Sequence, residues 1–564
     1  MRSSTLIACS ALFSLSGCPT RDQISNPDGG GNGIAITAPS SPAYTKASIT
    51  ITVSTTEPAT GPISIVAGDT TVGTIDPPQT SFDWDTTGVD EHEYSVTARM
   101  TTPSGTITSN AVTITVDRTP PMIAQNGLTP APNATNVMLA DPLSITFTEP
   151  VLRSSVTNSF VSLEAGQTSL STTVTLNSEG TTATATIGSH AALTLPQTFS
   201  ASLGTGVTDR AGNPLVPPAP DAWQWTVPDW VKLAPFDTNG PPVLAVGSDF
   251  RPAILYSICT FNPSGCASHL HVAMNVGQGW NDLGEPAADV LSTGASLTLD
   301  SLNRPIVATA ASTGTGAQLV IFSWTGSAWD HSAFAPVDVP SAAGYYVDAT
   351  GIHLDSSGKP VVAYRANTPT SSDVYVARWT GSEWDSSYGG AGLSGMQPFD
   401  FILDDQDQPI IGTTTPLNGV TSWSGSAWTK SAVAGAQTPF VALDSVAAPM
   451  MVTSNWRIAH FTGGSWLPNV PTPVPVGTSA RNARITATPD RQPVVAWQEP
   501  TPTPGHVGVA RWTGSQWDVR GGLVNSGGPN SPNDGAPTVA VDARGSTWVA
   551  WSENNTSYVW MSNY

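Results

Sequence analysis

The chain has 564 residues, too many for one hydrophobic core, and three domains are predicted. Only 11% of its residues are charged, against 51 glycines and 49 prolines, and no long helix rich in Glu, Lys and Leu can be read, so an all-β chain is predicted. A formal charge of −21, from 42 acidic and 21 basic residues, repels phosphate and excludes nucleic acid as a partner.

Residues 1–18, MRSSTLIACSALFSLSGC, carry a basic Arg2, an apolar run and then Leu15-Ser16-Gly17-Cys18. This is a signal peptide, too short to span a membrane permanently. Its end resembles the lipobox of bacterial lipoproteins, which implies cleavage before Cys18 and attachment of diacylglycerol to its sulfur. Each buried methylene then contributes roughly 0.8 kcal/mol, so several acyl chains hold the protein on a membrane. The alternative is an ordinary secretory signal with a chance cysteine. In that family an Asp after the cysteine often means retention at the inner membrane; here Pro19 follows, which implies the outer membrane. No other stretch has the ~18 apolar residues of a membrane helix. Cys9 leaves with the signal. Cys259 and Cys266, in CTFNPSGC, are expected to form a disulfide in an oxidising compartment, with a gain of roughly 2.5 kcal/mol. Two free thiols are the alternative.

Residues 19–33, PTRDQISNPDGGGNG, lack apolar periodicity and read as a flexible tether. From 34 to 116, alternating runs such as ASITITVS, EYSVTARM and NAVTITVD predict about seven short strands in a sandwich. The stretch FDWDTTGVDEHEYSVTA followed by VTITVDRTPP resembles a bacterial Ig-like domain, which implies that Trp84 enters a core strand and that Tyr94 pairs across it. Residues 117–228 carry LTPAPNATNVMLADPLSITFTEPV, GVTDRAGNPL and WQWTV, similar in order and spacing to the SbsA-type bacterial Ig-like domain. That resemblance implies a strand ending in a turn at Phe147, Glu149, Pro150 and Val151. It also implies a hairpin at Asp209, Ala211, Gly212, Asn213, Pro214 and Leu215. Such domains act as spacers or adhesive modules, and no catalytic residue comes with the likeness.

The rest, 229–564, is a repeat. LDSSGKPVVAY at 354–364 aligns with LDSLNRPIVAT, LDDQDQPIIGT, LDSVAAPMMVT and VDARGSTWVAW, and more loosely with VGSDFRPAILY and ATPDRQPVVAW. The seven anchors, Pro252, Pro305, Pro360, Pro409, Pro449, Pro493 and Thr547, lie 40 to 55 residues apart, the spacing of four-stranded propeller blades. A seven-bladed β-propeller is predicted. YVARWTGSEWD at 375–385 and GVARWTGSQWD at 508–518 read as the outer hairpin of a blade, in which a four-residue loop brings two tryptophans face to face. The expected pairs are Trp324 with Trp329, Trp379 with Trp384, Trp423 with Trp428, Phe461 with Trp466, and Trp512 with Trp517. Each buried ring contributes up to about 4 to 6 kcal/mol by area, an upper bound. The seventh copy stops at SYVWMSNY without a fourth strand, whereas WVKLAPF at 230–236 looks like a fourth strand that precedes the first blade. Trp230 is therefore expected to join the strand holding Tyr558 and to remove the open edges.

Strand alternation puts the short turns on one face and the variable loops on the other. These include the Cys259–Cys266 loop and residues 335–350, 366–373, 498–506 and 523–536. Binding is expected there, near the channel mouth. Asp300, Asp355, Asp404, Asp444 and Asp542 recur at one blade position and read as turn caps rather than general acids. The repeat is reminiscent of sialidase-type propellers but lacks their Asp box, and Arg378 and Arg511 are repeat equivalents on outer strands. A hydrolytic carboxylate pair leaves no linear signature. His269 and His271 share a strand face at a spacing compatible with metal, but no third ligand is visible, so neither a metal nor a cofactor is expected. DDQDQ at 404–408 reads as a solvated turn rather than a calcium site. The Trp pairs read as packing rather than sugar platforms.

The reading is a lipid-anchored cell-envelope protein in the outer membrane, with a tether, two Ig-like spacers and a propeller that binds a protein or glycan without catalysis. A glycan hydrolase with the propeller as its catalytic domain is one alternative. A scaffold subunit of an envelope assembly is the other.

Overall fold

The computed structural model describes residues 33–562 except 140, 189–192, 217–221, 239–240, 263–264, 277–278, 287–293, 313–316, 338–345, 368–371, 389–392, 394–397, 414–418, 434–435, 454–455, 463, 472–479, 500–505, 520–522, 525–535 and 554–555. Strands dominate, with two single-turn 3-10 helices, Arg153–Ser155 and Asn158–Phe160. Cys18 lies outside the described residues.

Two sandwiches come first. In one, a sheet built on Ile34–Ala38, Ser48–Thr55 and Ser81–Asp85 faces a six-stranded sheet through Glu93–Thr102 and Val112–Val116. Their alternating inward residues form one core around Ile51, Ile65, Trp84, Val96 and Ile114. Trp84 meets Tyr94 edge to face at 5.4 Å. The second pairs two four-stranded sheets over a separate core around Phe147, Leu163, Phe199 and Trp225. The two sandwiches touch through Lys46 Nζ, which donates to the Gly212 carbonyl at 2.5 Å, and Arg210, which donates to the Tyr44 hydroxyl at 2.9 Å.

Beyond Val227 the chain folds into seven antiparallel sheets of four principal strands each. The third shows the plan: Tyr346–Leu354, Pro360–Asn367, Ser372–Trp379 and Trp384–Asp385. Six second strands start on proline, at 252, 305, 360, 409, 449 and 493, a position where a missing N–H costs little. Five of the seven turns before the second strands are held tight by an aspartate. Asp355 Oδ1 accepts the N–H groups of Ser357 and Lys359 at 2.9 and 3.0 Å, and Asp300, Asp404, Asp444 and Asp542 repeat the pattern on their own turns. In the outer hairpins, Thr-Gly-Ser or Ser-Gly-Ser turns hold glycine at positive φ, 114° at Gly381 and 92° at Gly514, where a Cβ would be strained.

Each sheet packs on the next through its own apolar cluster. Val307 and Phe322 meet Leu255 between the first and second, and Trp497 meets Met450 and Ile458 between the fifth and sixth. Trp551 meets Val494 and Val509 between the sixth and seventh. The seventh packs on the first, where Trp548, Val559 and Met561 meet Ile254, Tyr256 and Ala273. The first strands touch in the same order, and that of the seventh touches that of the first.

The last sheet draws one strand from far upstream. Trp230–Lys232 pairs antiparallel with Thr556–Ser562, Trp230 opposite Ser562 and Lys232 opposite Trp560, and Phe236–Asp237 pairs further along the same strand. Val231 and Leu233 complete the cluster between the seventh and first sheets. The free edge of this strand is covered as well: the Asn136 side-chain amide donates to the Lys232 carbonyl at 2.7 Å and accepts its N–H at 2.9 Å.

Val231 is 2% exposed, so Val231→Asp forces a charge into an apolar seam. The expected outcome is a loss of roughly 3 kcal/mol or more, read as a lower denaturant midpoint by tryptophan emission. An unchanged midpoint would mean that this strand does not support the seven sheets.

Candidate functional site

A cavity of about 390 Å³ is lined by the first strands of all seven sheets. Counting four residues back from each turn-capping position gives Val243, Ser296, Gly351, Asp400, Phe440, Arg484 and Thr538, and all seven line this space. These seven are all different, although the residues around them repeat. Asp400, Phe440 and Arg484 sit on consecutive sheets.

Arg484 lies with its guanidinium carbon 3.5 Å from the centre of the Phe440 ring. Its Nε is buried and has no hydrogen-bond partner. Burial pushes the guanidinium down to about 10, against the attraction of Asp400. Asp400 is pushed up to about 6, first by burial; the Val441 N–H, which donates at 2.9 Å, and the Arg484 charge pull the other way. The two charges attract without touching, because no ion pair within 4.0 Å joins them. His353 donates through Nε2 to the Phe401 carbonyl at 2.7 Å, since a carbonyl oxygen can only accept. Burial holds it below the usual imidazole value, so the ring is neutral at pH 7 and its Nδ1 is an acceptor. Gly351 lets Phe401 approach, since a Cβ there would meet the Phe401 Cβ at 2.7 Å.

The channel continues into a depression of about 600 Å³ that shares His353, Ile402, Val441 and Thr486 and reaches the turns at Asp355, Asp404 and Asp407. This is the short-turn face. The variable loops of the opposite face fall largely outside the described residues. On the short-turn face, Arg378 donates to Asp355 at 3.2 Å, to the Tyr388 hydroxyl at 2.8 Å and to the Asp407 carbonyl. Arg511 donates to the Gly545 carbonyl at 3.1 Å. Both arginines tie one turn to the next. The acidic run at 404–408 is likewise occupied: Asp404 caps its own turn, Asp405 pairs with Arg491, and Asp407 accepts the Ser356 hydroxyl at 2.6 Å.

The five aromatic pairs lie directly opposite in register with ring centroids 5.3 to 5.5 Å apart. The indoles have a second role that their spacing does not reveal. Trp329 Nε1 donates to the Leu283 carbonyl at 3.0 Å, Trp384 to Ala335 at 2.6 Å, and Trp428 to Tyr388; each bond crosses to the preceding sheet. Trp280 Nε1 does the same to Ala234 at 2.8 Å, across the seam. Trp230 and Tyr558 share one cluster with Trp551.

The strand register sets Cys259 opposite Ser268 and Cys266 opposite Phe261, so the two cysteines lie on a diagonal; their side chains are outside the described residues. His269 and His271 gain partners that sequence reading did not find. His269 Nδ1 is 3.1 Å from Glu285, and His271 lies between Asp282 at 3.1 Å and Glu285 at 3.6 Å. Among the described residues, donor atoms converge only at Asp117, Glu149 and Asp209, all within 4.8 Å. There Asp209 accepts both the backbone and the side-chain N–H of Asn213. Burial first, then the charges of Asp117, Asp209 and Glu91, pushes Glu149 up to about 6, so protonation of Glu149 relieves the crowding.

Residues 117–227 match the bacterial Ig-like domain family. No curated protein matches the chain. Among solved structures it is similar to YCF48 bound to D1 peptide at 11% identity, over 59% of this chain and 96% of that one, with a TM-score of 0.38. For the Trypanosoma rangeli sialidase the values are 12%, 58%, 55% and 0.35. For the NanB sialidase from Streptococcus pneumoniae they are 10%, 79%, 93% and 0.31.

Asp400 holds its proton more tightly folded, at about 6, than at its ordinary 3.8. Its contribution to stability therefore falls as pH rises from about 4 to about 6 and stays low above that. The expected outcome is that Asp400→Asn gains stability relative to the wild type across this window in denaturant midpoints taken at stepped pH. Parallel curves would contradict it.

Proposed function

We propose that the chain is a lipid-anchored cell-envelope protein that holds a seven-bladed β-propeller away from the outer membrane on two Ig-like domains and uses it to bind a glycan or a protein. Cys18 carries the lipid, residues 19–33 form the tether, and Cys259 and Cys266 form a disulfide beside the loop face. The repeat anchors, the succession of sheet contacts and the upstream strand in the last sheet all support the propeller.

One observation carries the binding reading over the hydrolase. The cavity of about 390 Å³ brings together a carboxylate, an arginine, a neutral histidine and two phenylalanines, but among the described residues lining it Asp400 is the one carboxylate. The aspartates of the adjoining depression, Asp355, Asp404 and Asp407, are engaged in the turns, so no second carboxylate faces Asp400 to divide acid and nucleophile roles with it. Such a mixture of apolar faces and a few polar groups is the usual make-up of a ligand pocket. The polar lining favours a glycan over a protein surface.

The test is a polysaccharide array probed with the chain from residue 19 onward, together with assay of reducing ends. Retention of a polysaccharide without release of new ends is the expected result. New ends would convert the reading to a hydrolase, and failure to retain any glycan or envelope protein would overturn it. The full chain is expected in the membrane fraction, and Cys18→Ala in the soluble one.

A further inference from the structure

We propose that the channel binds a small carboxylic acid, with its carboxylate on Arg484 and an adjacent hydroxyl or ammonium on Asp400. This deepens the binding reading above and rests on it.

The argument starts from an unmet need. A guanidinium offers five N–H donors in a planar fork, and here Nε is buried with no partner. Leaving a buried charged donor unsatisfied costs more than a typical hydrogen bond returns. Asp400 stands one sheet beyond Phe440 and does not close the gap with an ion pair. The cation and the anion therefore face a shared space of about 390 Å³, the scale of a small-molecule site.

The chemistry of the occupant follows from the lining. Arg484 needs an acceptor that fits a fork, which a carboxylate does. Asp400 accepts backbone hydrogen bonds from Val441 and Phe401, and the lone pairs left on its two oxygens can accept from a hydroxyl or ammonium. The Phe440 ring lies under the guanidinium carbon at 3.5 Å and covers one side of it, and the neutral His353 offers an acceptor in the same cavity. A ligand with an acid and a hydroxyl or ammonium a few bonds apart satisfies both charges, whereas a neutral sugar leaves Arg484 as it was.

Neither repetition nor packing accounts for the trio. The equivalent residues on other sheets are Val243, Ser296, Gly351 and Thr538, none of them charged. Replacement of a buried charged pair by well-packed apolar residues is often neutral or stabilising, so stability alone does not call for the pair.

Calorimetric titration of the mature chain with D-galacturonate, D-galactose and lactate tests this. Galacturonate and lactate are expected to bind and galactose to bind at least ten times more weakly. Arg484→Met should weaken galacturonate at least tenfold, Arg484→Lys less, and Asp400→Asn should weaken it while leaving the preference over galactose. Unchanged thermal unfolding of Arg484→Lys shows that a loss there does not come from misfolding. Absence of binding by the wild type, or equal binding by wild type and Arg484→Met, would overturn the proposal. A polysaccharide retained equally by the wild type and Arg484→Met would remove the channel site and leave the proposed function standing. Galacturonate bound through Arg484 by a chain that retains no polysaccharide or protein would do the reverse.

Discussion

Everything in the carboxyl-terminal part depends on one long-range pairing: the strand at Trp230–Lys232 must reach the strand at Thr556–Ser562. Its entropic cost is smaller than its length suggests. Bringing together residues 319 positions apart, as for Thr238 and Ser557, costs roughly 5 kcal/mol by the logarithmic law, plus a constant. Burial of Val231 and Leu233 returns about 1.5 to 3 kcal/mol each, and buried Trp230 adds more. The Trp280 bond to Ala234 and the Asn136 clasp on Lys232 contribute further. The pairing also removes the edge that the last sheet would otherwise expose.

The same few devices then recur. An aspartate closes each of five inner turns, a glycine at positive φ closes the outer ones, and an indole N–H reaches back to the preceding sheet. Because these residues repeat, they explain architecture and leave chemistry to positions that do not. Asp400, Phe440 and Arg484 are such positions. They lie in one layer of the channel, and the cost of their burial is accepted where packing alone would prefer apolar residues.

What could be read in the sequence follows from distance along the chain. Trp379 and Trp384 are joined by one tight turn, so their meeting is local and visible in the spacing. The pairing of the upstream strand with the last sheet was legible because the seventh copy lacks a strand that the first is preceded by. The channel layer is different: Asp400 and Arg484 are brought together by the whole arrangement of sheets, and no local pattern marks them. The signal that could have found them is the column four residues before each turn, where the repeat breaks. Glu285 was missed as a partner of His269 for the same reason, since it follows the fourth strand and returns only through the fold. Asn136 was invisible because its partner is backbone.

The most direct test of the closure is a cross-link across it. Asp237 lies opposite Thr556, and Asp237→Cys with Thr556→Cys is expected to join within one chain under mild oxidation, as mapped by mass spectrometry of the linked peptides. Cross-links that form only between chains, or not at all in the folded protein, would contradict the account.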